Sequence, residues 1–231
     1  MRITTVGLDA DDTLWHNETI FRLTQERFRA LMAEVAAPEA LDAKLAEVER
    51  RNLALYGYGV KGFTLSMIET AMELTAGEAP SRIVAEILAA GREMLSHPVV
   101  PLPGVEAALA ELAADYRLVL ITKGDLLHQE QKLAASGLGE LFAAVEIVSE
   151  KDAATYQRVF ARHGAGAARA AMAGNSLRSD VLPALEAGGY AAHLPYHLTW
   201  AHELAEPPLG HPRFAELASI ADLPAWVRGL S

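Results

Sequence analysis

Five short apolar runs lie along the chain without the alternation of polar and apolar residues that marks a half-exposed strand. Such runs are typical of parallel strands that are buried on both faces. The predicted strands are Ile3–Leu8, Arg117–Ile121, Ala144–Val148, Ala170–Ala173 and Tyr190–Leu194. This pattern predicts a sheet that is covered on both sides.

Helix-forming stretches accompany the last four strands. Gly137 and the pair Gly188–Gly189 follow two of them, as expected because glycine readily adopts the left-handed conformation at which many helices end. The predicted helices are Glu106–Ala114, Leu126–Ser136, Ala153–His163 and Val181–Ala187. Strands that alternate with helices indicate an α/β fold with a doubly wound parallel sheet.

One long segment, residues 17–97, contains only helical patterns. A stripe of apolar side chains at helical spacing predicts its first helix, and three more helices follow. The stripe is Ile20, Phe28, Leu31 and Val35, and the later helices are Leu41–Leu55, Leu65–Leu74 and Ile83–Met94. We therefore expect an α/β core domain formed by residues 1–16 and 98–231, interrupted by a helical domain formed by residues 17–97.

Composition and charge narrow the possible functions. With 51% hydrophobic and 22% charged residues, the 231-residue chain has enough apolar material for a buried core. Its formal net charge of −10 argues against nucleic acid or an anionic membrane as the main partner, because both attract clustered lysine and arginine. The absence of cysteine excludes disulfides, a thiolate nucleophile and a cysteine zinc site.

The sequence carries no obvious targeting signal. The first residues, MRITTVGLDADDTL, reach an acidic side chain at Asp9 before the apolar core of a signal peptide could form. No uncharged apolar run approaches the length of a transmembrane helix. We therefore expect a cytoplasmic protein.

Polar side chains follow each of the first four predicted strands. In doubly wound sheets, ligands bind where the carboxyl ends of the strands converge. The candidates at these ends are Asp9, Asp11, Thr122, Lys123, Lys151, Asn175 and Asp180. Such a set of carboxylates, a hydroxyl and lysines is suited to holding a divalent metal together with a phosphoryl group.

Several of these residues also have a purely structural interpretation. Asp9 and Asp11 repel each other unless a cation lies between them, so they indicate either a metal site or a solvated turn. Thr122 either caps the next helix or donates its hydroxyl to a phosphate oxygen, together with the backbone N–H groups of Lys123 and Gly124.

Lys151 also has two interpretations. Ser149 and Asp152 match a helix-start signature, which would place Lys151 in the first turn of a helix, where the helix dipole disfavours a positive charge. Lys151 is then either a solvated lysine that tolerates this penalty or a cation that neutralises a phosphate bound at the helix end.

Taken together, these segments resemble the four motifs of the haloacid dehalogenase superfamily. The segments are VGLDADDTLW, LVLITKGD, SEKDAATYQRVF and AMAGNSLRSDVLPALEAGG, in the family's order and spacing. The resemblance extends from Ile3 to about Leu194. It implies a Rossmann-like core with an inserted helical (C1-type) cap, which in this family closes over the site, excludes water and selects the substrate.

The resemblance also implies roles for individual residues. Asp9 would be the nucleophile that forms an aspartyl-phosphate, and Asp11 the general acid and base. The Asp9 carboxylate and the Asp11 backbone carbonyl would bind Mg²⁺. Thr122 and Lys151 would hold the other phosphoryl oxygens.

The acid at Asp11 bears on the choice of reaction. The family's dehalogenases lack an acid at this position, so the resemblance implies a phosphatase that acts on a small phosphorylated metabolite. A dehalogenase, a phosphonate hydrolase or a phosphomutase on the same scaffold stays an alternative. A receiver-like phosphorylation switch is disfavoured by the helical insert and by the position of the acidic pair directly after the first strand.

The fourth motif departs from the family pattern. Asn175 stands where the family usually has an aspartate that binds the metal, so we expect Asp180 to supply the negative charge. The asparagine is also a feature of dehalogenases, which keeps that alternative open. In the insert, the glycine-rich stretch Tyr56–Gly62 is either a specificity loop or an ordinary connection between helices.

Overall fold

Residues 2–200 and 203–230 are described by the structure, a computed structural model. The chain forms two units. The first comprises Met1–Glu18, Val99–Lys123 and Gln129–Ser231, and the second comprises Thr19–Pro98 with Gly124–His128. The short segment Gly124–His128 thus groups with the helical insert, although the sequence pattern assigns it to the core.

A six-stranded sheet, parallel throughout, is the centre of the first unit. The strands are β1 Thr5–Leu8, β2 Arg117–Lys123, β3 Ala144–Val148, β4 Ala170–Gly174, β5 Tyr190–His193 and β6 Phe214–Glu216. Their order across the sheet is β3-β2-β1-β4-β5-β6, which is the Rossmann-like doubly wound order. The predicted fold class is confirmed.

The chain reverses its direction of travel across the sheet between β1 and β4, which are neighbours. Leu8 pairs with Leu120 on one side and with Ala173 on the other, so the three strands end at almost the same level. In a doubly wound sheet the crevice at this switch point is where ligands bind. The register therefore places Asp9, Thr122 and Asn175 at one edge of the sheet.

Helices cover both faces of this sheet. They are α5 Val105–Ala113, α6 Leu126–Ser136, α7 Ala153–His163, α8 Leu182–Glu186 and α9 Leu223–Arg228. One face packs β1 side chains such as Leu8 into a cluster with α5 and α9, and the other packs Val119 and Met172 against α7. At Gly7 an added Cβ would lie 2.9 Å from the Met172 sulfur, so only glycine fits between the layers.

Details of the first unit differ from the sequence predictions. Strand β6 was not predicted, because it is only three residues long and lies in an irregular tail. The helix predicted from Val181 is a π-helical turn, Leu177–Val181, followed by α8, where Pro183 lacks the N–H needed to continue the preceding turn.

A further difference concerns Lys151. Helix α7 begins at Ala153, and its N-cap is Asp152, whose side chain accepts a hydrogen bond from Thr155 N (2.7 Å). The predicted helix Ala153–His163 is therefore confirmed, whereas the placement of Lys151 in the first turn of a helix is wrong. Lys151 precedes the helix and does not lie in its first turn.

The second unit is a helical bundle with its own core. Its helices are α1 Glu18–Leu31, α2 Pro38–Tyr56, α3 Val60–Leu74 and α4 Ser81–Leu95. Phe28, Leu45, Met67 and Ile87 are among its buried side chains. The predicted stripe was wrong at Val35, which is exposed; α1 ends at Leu31 and Met32 is buried instead.

The segments immediately before and after the helical insert are hydrogen-bonded to each other inside the first unit. Leu102 N donates to Leu14 O (2.8 Å), and Trp15 forms an isolated antiparallel bridge with Pro101. The chain therefore leaves the core and re-enters it at neighbouring points. Within the described ranges, every helix is too short or too polar to cross a membrane.

Candidate active site

Asp9 occupies the first position after β1 and is 6% exposed. Its backbone N–H donates to Ala173 O of the neighbouring strand (3.0 Å), which fixes where the side chain emerges. Lys151 donates to Oδ1, and the Thr13 hydroxyl lies 3.1 Å from Oδ2. Each carboxylate oxygen of Asp9 therefore has a defined neighbour.

Lys151 lies between two buried carboxylates. Its ammonium donates to Asp9 and to Asp180 Oδ1 (2.7 Å), and its side chain is 2% exposed. The other Asp180 oxygen accepts from Ser176 N (3.0 Å). At Gly174 an added Cβ would lie 2.2 Å from Asp180 Oδ2, so this carboxylate can take its place only beside glycine.

With all three groups ionised, Lys151 and the two carboxylates, Asp9 and Asp180, carry a net charge of −1. Burial raises the pKa of Asp9 to about 7, with the charge of Asp180 acting in the same direction and Lys151 opposing it. Burial disfavours the charged form of Lys151, but the carboxylates of Asp180 and Asp9 outweigh it and raise the pKa of Lys151. The site is thus able to accept one more positive charge.

The Asp11 side chain is held by three donors, two of them from α6. Trp15 Nε1 donates to Oδ1 (2.7 Å), as does Lys132, and Gln129 Nε2 donates to Oδ2 (3.0 Å). Burial alone would raise the pKa of Asp11, but the charge and hydrogen bond of Lys132, with those of Trp15 and Gln129, lower it below its usual value. In this arrangement Asp11 is a carboxylate.

Thr122 and Lys123 occupy the end of β2. The Thr122 hydroxyl accepts from Gln129 Nε2 (2.8 Å), so Gln129 connects Thr122 with Asp11. The Lys123 ammonium donates to Ser179 Oγ (2.8 Å) and to Glu203 (2.7 Å). The structure therefore shows the Lys123 side chain bound to protein groups.

Asn175 brings a third oxygen to the end of β1. In its present orientation the amide oxygen faces acceptors, since the atom at that position lies 3.2 Å from both Asp11 O and Asp9 Oδ2. Rotating the amide would place its NH₂ there as a donor. With the amide oxygen in place, its 3.2 Å distance to each of these two oxygens is close to the roughly 3 Å edge of an octahedral Mg²⁺ shell.

These three oxygens fit a hard divalent cation. Among the described residues, no three His, Cys, Asp or Glu side chains are grouped to hold a metal ion. A cation here would therefore depend on the Asp11 backbone carbonyl and the Asn175 amide as well as on Asp9. Asp180 is not one of these three groups, and its two oxygens accept from Lys151 and from Ser176 N.

The seven predicted residues lie in one hydrogen-bonded network, which also contains residues that the sequence reasoning did not select. These are Thr13, Gln129, Lys132, Tyr156, Ser176, Ser179 and Glu203. Thr13 was part of the first motif and could have been selected. Gln129 and Lys132 share one face of α6 at a spacing of three residues, which is a weak signal. Glu203 lies in the irregular tail and gave no signal.

Comparisons with known proteins identify the family. Residues 3–188 match the family of haloacid dehalogenase-like hydrolases. A haloacid dehalogenase-like family hydrolase from Xanthomonas campestris is 46% identical, with a TM-score of 0.89 over 99% of this chain and 91% of that one. Among curated proteins, none matches the sequence.

More distant structures share the fold. The magnesium-bound protein YfnB from Bacillus subtilis is 15% identical, with a TM-score of 0.68 over 98% of this chain and 99% of that one. L-2-haloacid dehalogenase from Xanthobacter autotrophicus, with chloropropionic acid covalently bound, is 18% identical, with a TM-score of 0.67 over 99% and 100%.

Proposed function

The chain belongs to the family of haloacid dehalogenase-like hydrolases, and from this premise we propose that it is a Mg²⁺-dependent phosphatase of a small phosphorylated metabolite. The observation that carries the proposal is the pair Asp9 and Asp11 at the end of β1. One carboxylate faces the Lys151 ammonium, and the other is held apart from it by Lys132 and Gln129. Hydrolysis through an aspartyl-phosphate uses two carboxylates in such separate roles, one as nucleophile and one as general acid and base.

In the first step, an oxygen of Asp9 attacks phosphorus and the bond from phosphorus to the leaving oxygen breaks. Asp11, a carboxylate in this structure, must first take up a proton, which it then donates to that leaving oxygen. Water then attacks phosphorus of the aspartyl-phosphate and gives a proton to Asp11. The bond from phosphorus to the Asp9 oxygen breaks, so that phosphate is released and Asp9 is restored. The ionised Asp11 of this structure is the form needed for the second step.

Lys151 and Thr122 are suited to the phosphoryl oxygens. The Lys151 ammonium adjoins the attacking carboxylate, so it can reach an oxygen of the phosphoryl group that Asp9 receives. The Thr122 hydroxyl is buried and positioned by Gln129. Phosphoryl transfer depends mainly on such positioning and charge stabilisation.

Asp9, the Asp11 carbonyl and Asn175 would hold Mg²⁺, which when bound supplies positive charge to the phosphoryl oxygens. It would also favour the ionised form of Asp9. The magnesium bound to the fold neighbour YfnB is in keeping with this assignment. The cytoplasmic location and the avoidance of nucleic acid stay predictions.

The proposal is tested by incubating the protein with an aryl phosphate and with a panel of sugar, nucleotide and organic acid phosphates, and measuring free phosphate. We expect activity that is lost on chelation and restored by Mg²⁺. A parallel incubation with 2-haloacids, with halide as the readout, tests dehalogenation, which the asparagine at position 175 keeps as the second candidate. Halide release without phosphate release would contradict the proposal.

A further inference from the structure

Glu203 is a carboxylate that the proposed mechanism does not use. It lies in the tail beyond β5, and its side chain is 16% exposed. Lys123 donates to Oε1 (2.7 Å), and the hydroxyls of Ser176 and Ser179 donate to Oε2. A residue from an irregular segment is therefore bound to the ends of two central strands.

The direction of each hydrogen bond in this cluster is fixed by its partners. Ser176 Oγ accepts from Ser179 N (2.9 Å), so its own proton is available for Glu203. Ser179 Oγ accepts from the Lys123 ammonium (2.8 Å), which can only donate, so its proton also goes to Glu203. All three donors therefore converge on one carboxylate.

The two serines belong to the turn that follows β4. Asp180 N donates to Ser176 O (2.9 Å), and Ser176 N donates to Asp180 Oδ2 (3.0 Å), so the turn is closed on itself. Asn175 immediately precedes this turn and Asp180 lies within it. The position of the turn thus sets the amide oxygen beside Asp9 and the carboxylate beside Lys151.

We propose that Glu203 is a positioning residue, whose carboxylate fixes the turn Ser176–Asp180 through Ser176 and Ser179 and ties it to Lys123 at the end of β2. The expected effects on Mg²⁺ binding and turnover rest on the proposed function. The expected effect on the turn rests only on the hydrogen bonds of Glu203.

The charge state of Glu203 agrees with this role. Burial acts to raise the pKa of Glu203, but the charge and hydrogen bond of Lys123, with the hydroxyls of Ser176 and Ser179, lower it. An ionised carboxylate offers two acceptor oxygens. A glutamine would offer one acceptor to the serines and would turn its NH₂ towards the Lys123 ammonium.

Three variants test the proposal. Glu203→Ala removes the acceptors, and Glu203→Gln keeps one of them without the charge. Glu206→Ala is the matched control, because it makes the same change of charge at an exposed position in the same tail. Binding of Mg²⁺ alone is measured by calorimetry, and backbone hydrogen exchange is measured for residues 174–182.

We expect Glu203→Ala to weaken Mg²⁺ binding by about 10–100-fold, as loss of a partner that orients a metal ligand typically does. Exchange in residues 174–182 should become faster, because the Ser176 and Ser179 hydroxyls lose their acceptor. Glu203→Gln should lie between Glu203→Ala and the wild type. Glu206→Ala should match the wild type in both measurements.

The measurements separate this proposal from the proposed function. A wild-type protein that neither binds Mg²⁺ nor releases phosphate would refute the proposed function, and the exchange data would still decide the role of Glu203. Unchanged exchange of residues 174–182 in Glu203→Ala and Glu203→Gln would overturn the positioning role. Faster phosphate release by Glu203→Ala would overturn it too, since Glu203 would then be an internal ligand that blocks the site.

Discussion

At Lys151 a single ammonium group holds together two buried carboxylates that would otherwise repel each other. Removing one partner from a buried ion pair typically costs about 3–5 kcal/mol, because the remaining charge stays buried without compensation. Lys151 therefore contributes to stability as well as to the proposed chemistry. Asp9, by contrast, should be essential to the proposed chemistry without adding to the stability of the fold, because its buried charge is disfavoured by Asp180.

We expect Lys151→Met to lower the free energy of unfolding by about 3–5 kcal/mol, since it leaves Asp9 facing Asp180. Asp9→Asn should abolish phosphate release without loss of stability, since it leaves Lys151 balanced by Asp180. Urea unfolding and initial rates with an aryl phosphate measure the two effects. Lys61→Met, at an exposed ion pair, is the control and should cost less than about 1 kcal/mol. Wild-type stability in Lys151→Met would contradict the argument.

Asn175 and Asp180 differ in what their oxygens contact. The sequence favoured Asp180 as the anionic metal ligand, whereas in the structure the Asp180 oxygens accept from Lys151 and Ser176 N, and the Asn175 amide lies beside Asp9 and the Asp11 carbonyl. We expect Asn175→Ala to weaken Mg²⁺ binding more than Asp180→Ala, and Asn175→Asp to strengthen it by adding a charge. Calorimetric titration of the three variants with Mg²⁺ gives the order. The reverse order for the alanine variants would assign direct binding to Asp180.

Among the elements, α7 depends on a single side chain at its start. Asp152 accepts from Thr155 N, and this backbone hydrogen bond, with that of the Thr155 side chain, lowers the pKa of Asp152 below its usual 3.8. A carboxylate with a lowered pKa stabilises the fold above the unfolded-state value and loses that contribution as the pH falls through the folded-state value. The capping contribution is therefore lost below about pH 4.

We expect Asp152→Ala to lower the melting temperature at pH 7, because one N–H at the helix start loses its acceptor. Asp152→Asn should retain most of the stability, since an amide oxygen still accepts. Its melting temperature should also fall less than that of the wild type between pH 5 and pH 3, because the asparagine does not titrate. Thermal unfolding across this range measures both effects, and an identical pH dependence in the asparagine variant would contradict the assignment.

The sequence predicted elements well where one local pattern determines the structure. Helix α6 and strand β3 have the predicted bounds, because Gly137 marks the end of the helix and a short, mostly apolar run marks the strand. The turn before α8 was not predicted; its π-helical residues bring Asp180 beside Gly174, a contact that no local pattern records. Helix α7 also has the predicted bounds, but Lys151 was misplaced in its first turn because Ser149 and Asp152 both have capping side chains, and only the structure shows that Asp152 is the N-cap.

The candidate site shows the same division. Asp9, Thr122 and Asn175 could be selected because each directly follows or ends a buried strand, and parallel strands end together. Gln129 and Lys132 reach the site across the space between a helix and a strand end, which no local pattern records. The roles assigned to all of these residues stay predictions until the variants are measured.

At the scale of the whole molecule, the tail is part of the core. Ile220, Leu223 and Val227 are buried in the same cluster as Leu109 and Leu112 of α5. Its prolines and loops made this segment the least informative part of the sequence. The tail closes one side of the first unit and carries Glu203 to the candidate site.

We expect Leu223→Ala to lower the free energy of unfolding by about 2–5 kcal/mol, as for other fully buried leucines. Leu209→Ala, at a side chain of the same tail that is 80% exposed, should change it by less than about 0.5 kcal/mol. Chemical denaturation of both variants measures the difference. Equal stability of the two would show that the tail does not contribute to the core as described.

The junction of Leu14 and Trp15 with Pro101 and Leu102 has a consequence for how such proteins can diversify. Because the two ends of the insert leave the core side by side, the insert does not have to bridge a gap between distant points of the core. The helical block can then be regarded as a cassette, and any folded module whose ends lie side by side could be grafted in its place. A chimera with a foreign cassette should keep the spacing of Asp9, Thr122 and Asn175, so that new substrates can be acquired without rebuilding the chemistry.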